Sequence, residues 1–300
     1  MPHATIPPLQ TVPPNRTVTG IVSMLIGISF LSTMGVLAKL ATETVSLAEV
    51  VFFRNAFGML APFLIIASRG RWELLMTRRL PGHITRATIG VTAMVLTFWA
   101  LHLLPLPDAT ALSFTSPLFL TALSWPVLGE KVGPHRWGAV IVGFLGVLIL
   151  ARPSGDIINA GFLVAISAAF ATAMAGLMLR QLGRTESAAT TAFYFALFAT
   201  LYSLLPLPFF WSTPSWKELA LLIGMGSIGG LGQHFMTRAY AMAPAAVVGP
   251  FTYISIVWAC LFGWLIWNDT PDVYVLTGTS IVIASGLYIL YRETRKRRSV

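Results

Sequence analysis

The stretch from Ala100 to Leu150 returns in diverged form from Ala239 to Leu290, and this duplication constrains the fold more tightly than any other feature of the chain. Ala100, Pro105, Ser116 and Trp125 recur as Ala239, Pro244, Ser255 and Trp264, at an offset of about 139 residues. Glu130 is answered by the chemically similar Asp269. After one inserted residue, Gly138, Gly146, Ile149 and Leu150 recur as Gly278, Gly286, Ile289 and Leu290. Upstream, Gly20, Gly35 and Lys39 are matched by Gly161, Gly176 and Arg180. Self-similarity at so long a period marks a doubled structural unit.

Each unit is a train of apolar segments of about 20 residues, the length that crosses a hydrocarbon core of about 30 Å. They fall near 18 to 39, 47 to 68, 83 to 104, 107 to 128, 135 to 151, 159 to 181, 187 to 210, 217 to 241, 244 to 267 and 272 to 291. With five segments per half, the two copies enter the membrane from opposite sides, the inverted-repeat construction of many secondary transporters. The expected fold is therefore an all-α integral membrane protein with ten transmembrane helices, built as an inverted repeat of two five-helix halves.

Composition excludes the alternatives. The chain is 56% hydrophobic and 10% charged, with a mean hydropathy of +0.76; a soluble globule carries about 25% charged residues. The net charge of +9 lies in basic loops, which points to an anionic leaflet and not to nucleic acid. With the amino terminus inside, sixteen basic residues fall on the cytoplasmic side, among them Arg86, Arg180 and Arg184. Only Lys39, Arg152 and Lys217 fall outside. Both termini are expected in the cytoplasm and the chain in the cell inner membrane. Residues 1–17 read as a disordered tail without the apolar region of a cleavable signal peptide, 18–152 and 157–291 as the two halves, and 292–300 as a basic tail. The single cysteine, Cys260, lies in an apolar run and forms no internal disulfide.

Polar groups at membrane depth are the candidates for solute contact. Arg54 falls within the second segment and faces either a cavity or Glu49, as an anchor; Phe195 holds its place in the second half. Gln233 and His234 lie deep in the eighth segment behind a run of glycines, of which Gly226 and Gly230 have the spacing that lets helices approach. Trp99 and His102 sit toward the outer end of the third. Ser116 in the fourth and Tyr253 and Trp258 in the ninth offer a hydroxyl and rings; neighbouring Ser113, Thr115, Thr252 and Ser255 do the same unless they bond their own helix backbones. Pro117 and Pro250 lie inside those two helices, so broken turns are expected there. No acid sits at mid-helix, and no catalytic set, metal-ligand cluster or cofactor motif is visible.

Gly129-Glu130-Lys131 followed by Gly138, Gly143 and Gly146, with Asp108-Ala109-Thr110-Ala111 before it and Phe53-Arg54 with Ala56 upstream, resembles the EamA repeat of the drug/metabolite transporter superfamily. The resemblance covers residues 20 to 151 and 160 to 291, and the second half departs from it at Asn268-Asp269. It implies ten helices, an inverted repeat and movement of small metabolites; similar family members handle amino acids and their derivatives, S-adenosylmethionine, riboflavin and opine-like metal chelators. The expected function is export of an amino acid or a compound derived from one, by alternating access. Uptake of S-adenosylmethionine or riboflavin is the rival, and a membrane-embedded enzyme using His234 is the rival from another class. The expected partners are a small-molecule solute, the lipid bilayer and a second copy of the chain in a homodimer.

Overall fold

A computed structural model describes residues 14–59, 63, 67, 76, 77, 79–129, 133–150, 160–182, 185, 186, 188–243 and 245–298. Among the described residues every regular element is helical: α1 (Pro14–Thr42), α2 (Leu47–Gly58), α3 (Leu80–Leu103), α4 (Leu106–Ser113), α5 (Ser116–Leu128), α6 (Pro134–Leu150), α7 (Ala160–Leu182), α8 (Ala188–Leu204), α9 (Leu207–Phe210), α10 (Trp216–Met242), α11 (Ala245–Val248), α12 (Ile254–Phe262) and α13 (Val273–Arg298). A 3-10 turn, Gly249–Tyr253, joins α11 to α12, and a π turn, Gly263–Trp267, ends α12.

Among the described residues, six helices are long and apolar enough to cross a membrane: Thr17–Thr42, Leu80–Leu103, Ala160–Leu179, Trp216–Met242, Gly249–Trp267 and Val273–Tyr291. The other expected segments are shorter or broken for local reasons. Pro117 has no N–H to offer the carbonyl of Ser113, so the fourth segment parts into α4 and α5 at Phe114 and Thr115. There the amides turn to i−3 carbonyls, Phe114 to Ala111 and Thr115 to Leu112. Pro206 and Pro208 divide the seventh segment into α8 and α9 in the same way. The second segment beyond Met59 lies largely outside the described residues, as do residues 1–13 of the expected tail.

Both ends differ from expectation. Helix α1 already starts at Pro14, a residue preorganised for a first helical turn. Helix α13 runs on through the basic residues to Arg298, because Arg, Lys and Glu are good helix formers.

Helix α1 packs along α10, α3 along α7, and α6 against α13. Glycines set the closest approaches. A Cβ added at Gly226 would stand 2.8 Å from the Phe53 carbonyl oxygen of α2, and one at Gly27 2.9 Å from the Met236 amide of α10. Helices α6 and α13 cross at Gly146 and Gly278, where an added Cβ on either would come within 2.9 Å of the other's carbonyl. Gly138 has open space, and the pair splays there into a groove of about 620 Å³ lined by Pro134, His135, Gly138, Val142, Ala284 and Tyr288, among others.

The departure at Asn268 leaves the backbone unchanged. Gly129 ends α5 at φ 67°, and Asn268, its counterpart in the repeat, ends the π turn at φ 57°. Asparagine tolerates the left-handed region better than other residues with a Cβ, so both ends take the same cap. Asn268→Gly should leave the melting temperature of the purified protein unchanged or raised. Asn268→Val should cost about 1–2 kcal/mol of stability, measured by unfolding in detergent.

Candidate functional site

Two interrupted helices meet at the centre of the candidate site. Helix α4 stops at Ser113 and α5 begins at Ser116; the corresponding stretch of the second half is the 3-10 turn around Pro250. Phe114 and Tyr253 stand at these breaks. They are counterparts in the repeat, and their rings touch edge to face at 5.0 Å between centroids. The Tyr253 hydroxyl reaches Gly286 of α13, where any Cβ would displace it.

The hydroxyls beside the breaks are mostly committed as donors to their own helices. Ser113 donates to the Thr110 carbonyl, Thr115 to Leu112, Thr252 to Gly249 and Ser255 to Thr252, at 2.7–2.8 Å. They stitch the tightened turns and keep only acceptor capacity for a solute. Ser116 is half-buried at the first position of α5. Trp258 stacks on Phe262 at 5.4 Å and packs against the cluster of Met24, Ile28, Ala239, Ala243 and Val248.

Arg54 lies half-buried on α2 and donates to the side chain of its neighbour Asn55 at 3.2 Å. The buried Asn55 in turn donates to the Ala199 carbonyl of α8. Glu49 does not pair with Arg54. Its carboxylate, fully buried, accepts the Ser46 amide and hydroxyl and the Ser212 amide and hydroxyl at 2.8–3.2 Å. The Ser46–Glu49 capping box thereby also clamps α2 to the segment after α9. Among the described residues the guanidinium of Arg54 has no carboxylate partner, at a point where Gly226 of α10 comes close to the α2 backbone.

Gln233 and His234 occupy exposed positions on α10, and His234 packs edge to face on Phe235 at 5.8 Å. Of the partners the two groups could have, a neighbouring protein group or a solute, the described residues show only the Phe235 ring for His234. The stretch that packs closely on α2 is the one around Gly226, about two turns earlier. Trp99 and His102 are likewise exposed, near the end of α3. Among the described residues, the hydrogen bonds and ring contacts of Arg54, His234, Tyr253 and Trp258 lead to Asn55, Phe235, Phe114 and Phe262 and not to one another.

Two cations that the charge count placed with the flanking loops, Lys39 and Arg86, turn into the protein. Lys39 is 8% exposed within α1; its ammonium donates to the carbonyl oxygens of Leu101 (3.0 Å) and Leu104 (2.6 Å) at the end of α3. It also lies 5.3 Å from the Trp267 ring centroid, and the Trp267 indole donates to Glu43 at 2.8 Å. One buried lysine therefore ties α1, the free carbonyls of α3 and the π turn together. Arg86, the other, sits well inside α3. Near its start, Thr77 donates to Glu186 (2.8 Å), Arg79 donates to Thr185 (3.1 Å), and the buried His83 has its Nε2 3.8 Å from Glu186. Both fall inside the expected segments, 18 to 39 and 83 to 104, but close to a segment end, where the charge count took them as flanking cations.

Comparison with known proteins agrees with this geometry. The pattern of the EamA-like transporter family matches the chain twice, at residues 18–152 and 159–291. The chain is 31% identical to the S-adenosylmethionine uptake transporter of Rickettsia conorii, over 92% of this chain and 94% of that protein. It is 32% identical to a pseudopaline exporter of Pseudomonas aeruginosa, over 85% and 89%, and 33% identical to a riboflavin transporter of Vibrio cholerae, over 86% of each. A solved crystal structure shares the fold at a TM-score of 0.63 and 19% identity, covering 93% of this chain and 98% of that one.

Lys39→Met should lower stability by about 1.5–3 kcal/mol, because it removes charge-assisted hydrogen bonds and leaves two carbonyls unpaired. Glu43→Gln, which keeps an acceptor for the indole, should cost less than about 1 kcal/mol. Chemical unfolding of the two purified variants beside wild type reads the difference.

Proposed function

The chain belongs to the EamA-like transporter family, and from that premise we propose that it exports a small carboxylate-bearing metabolite, an amino acid or a compound derived from one, by alternating access. It is a multi-pass membrane protein and a transporter, not an enzyme. The observation that carries the mechanism is the meeting of Phe114 with Tyr253, where the interrupted helices of the two sequence repeats touch through counterpart residues. Discontinuous helices at corresponding places in two repeats are where such carriers hold their solutes.

In this reading ten helices form two inverted halves, 18–152 and 157–291, with both termini in the cytoplasm. Arg54 offers a planar fork of donors to a carboxylate, and its lack of a protein carboxylate partner supports that role. Tyr253, Trp258 and Ser116 line the adjoining passage. Gln233, His234, Trp99 and His102, all exposed, meet the solute on its way in or out. Rocking one half against the other would have to break the contacts of Trp267 with Lys39 and Glu43 on one face and the Thr77, Arg79 and Glu186 contacts on the other.

Uptake is the second reading, because one similar relative is named an uptake transporter. Comparing metabolites inside and outside cells with and without the protein decides direction and solute class together.

Arg54→Lys keeps the charge but loses the fork, so flux should fall about tenfold or more, with Arg54→Ala lower still and His234→Ala reduced less. Equal flux in all three at matched membrane abundance would remove both residues from the site. For topology, a cysteine at Ser299 in a chain lacking Cys260 should stay unlabelled by an impermeant reagent in intact cells and react after lysis. Labelling before lysis would overturn the inverted arrangement.

A further inference from the structure

Arg86 is the sixth residue beyond Leu80 in a span that runs from Leu80 to Leu103, which places its Cα about 9 Å along the helix. An arginine so placed ordinarily turns its head back toward the nearer interface. This one does the reverse. A Cβ added at Gly90, one turn deeper, would stand 2.9 Å from its NH1 and 2.6 Å from the Phe195 ring of α8. The guanidinium carbon lies over that ring, 4.1 Å from its centroid. Its Nε and NH1 are both buried and have no hydrogen-bond acceptor. One turn nearer the interface, His83 is 1% exposed and neither ring nitrogen is hydrogen-bonded. Glu186, the acid closest to it, has one oxygen bonded to Thr77 and the other 3.8 Å from His83. Buried donors with no acceptor, aimed toward mid-membrane, describe a site that lacks an anion.

The repeat gives this place a meaning. At the same offsets, Arg54 on α2 corresponds to Phe195 on α8, and Arg86 on α3 corresponds to Met225 on α10. Met225 is fully buried and adjoins Gly226, where an added Cβ would stand 3.5 Å from the Arg54 Cα. Each of the two matching interfaces, α2 with α10 and α3 with α8, therefore carries one arginine against one apolar partner, with the helices exchanged.

We propose that Arg86 is a second solute-binding cation, which takes the carboxylate of the solute at the α3/α8 interface as Arg54 takes it at the α2/α10 interface. This rests on the carboxylate reading given above. A solute passing between the halves thus meets one guanidinium at each of these two interfaces. Phe195 covers the guanidinium, and Gly90 leaves room for it.

The test uses wild type, Arg86→Met, Arg86→Gln and Arg86→Lys at matched membrane abundance. Untargeted mass spectrometry reads the carboxylate-bearing metabolites inside and outside the cells, and unfolding of each purified protein gives its melting temperature. Wild type should shift such metabolites relative to cells lacking the protein. Arg86→Met and Arg86→Gln should lose that shift at least tenfold, and Arg86→Lys should keep a fraction of it. The melting temperatures of Arg86→Met and Arg86→Gln should match or exceed wild type by about 2–4 °C, since a buried unpaired charge has been removed. A metabolite shift that survives in both would overturn the assignment, and so would a fall in both melting temperatures, the mark of a cation that only holds the fold. If wild type itself shifts no carboxylate, the solute reading fails and takes this assignment with it.

Discussion

In hydrocarbon every backbone N–H and C=O must find its partner within the protein, and the arrangement of this chain follows from how that requirement is met where helices break. Pro117 and Pro250 each remove a donor inside an apolar segment. The turns around them are repaired by i−3 backbone bonds and by hydroxyls that donate to their own helix, as Ser113, Thr115, Thr252 and Ser255 do. Such turns need cover from neighbouring helices, and they place Phe114 against Tyr253 inside the protein. The geometry that interrupts the helices also brings side chains and backbone dipoles to one point, which an unbroken helix pair would not do.

Charge is handled by a related logic. Glu49 is buried among four neutral donors, and Lys39 is buried against two carbonyls freed by the end of α3. Neither relies on an ion pair. A fixed charge satisfied by backbone groups holds its helices firmly yet releases them without leaving a stranded counter-charge, because carbonyls at a helix end are readily hydrated. Ties of this kind suit the alternating access proposed above. Arg54 and Arg86 are the exceptions, with guanidinium donors that the protein leaves unsatisfied or only lightly engaged.

Apolar segment length, the repeat and the proline positions made the helical architecture and the two breaks legible, because each rests on local chemistry and a strict count along the chain. Arg54 was legible for the same reason, as the lone cation in an apolar run. Lys39 and Arg86 were not, since each stands within a turn or so of a segment end, where sequence alone cannot separate an interfacial cation from one that points inward. Only the positions of the Leu101 and Leu104 carbonyls and of the Phe195 ring decide between them. Pairing with Glu49, one of the alternatives for Arg54, does not form because Ser212, far away in sequence, supplies donors to that carboxylate. The glycines ahead of Gln233 and His234 face α1 and α2, while these two side chains are exposed, which the glycine spacing alone does not reveal.

The repeat also separates what architecture requires from what a site requires. Gly129 and Asn268 differ in chemistry but share a left-handed backbone, because the cap is needed at the end of each interrupted helix. Arg54 and Phe195, and Met225 and Arg86, differ without any such backbone constraint. A position free to lose its charge in one half, with a charge gained on the facing helix in the other, is held by the surface it presents and not by its place in the fold. In the proposed reading, a solute lying between the two interrupted helices would meet chemically similar walls from unlike residues. The halves thus correspond residue by residue at glycines and caps, whereas the proposed site corresponds only interface by interface.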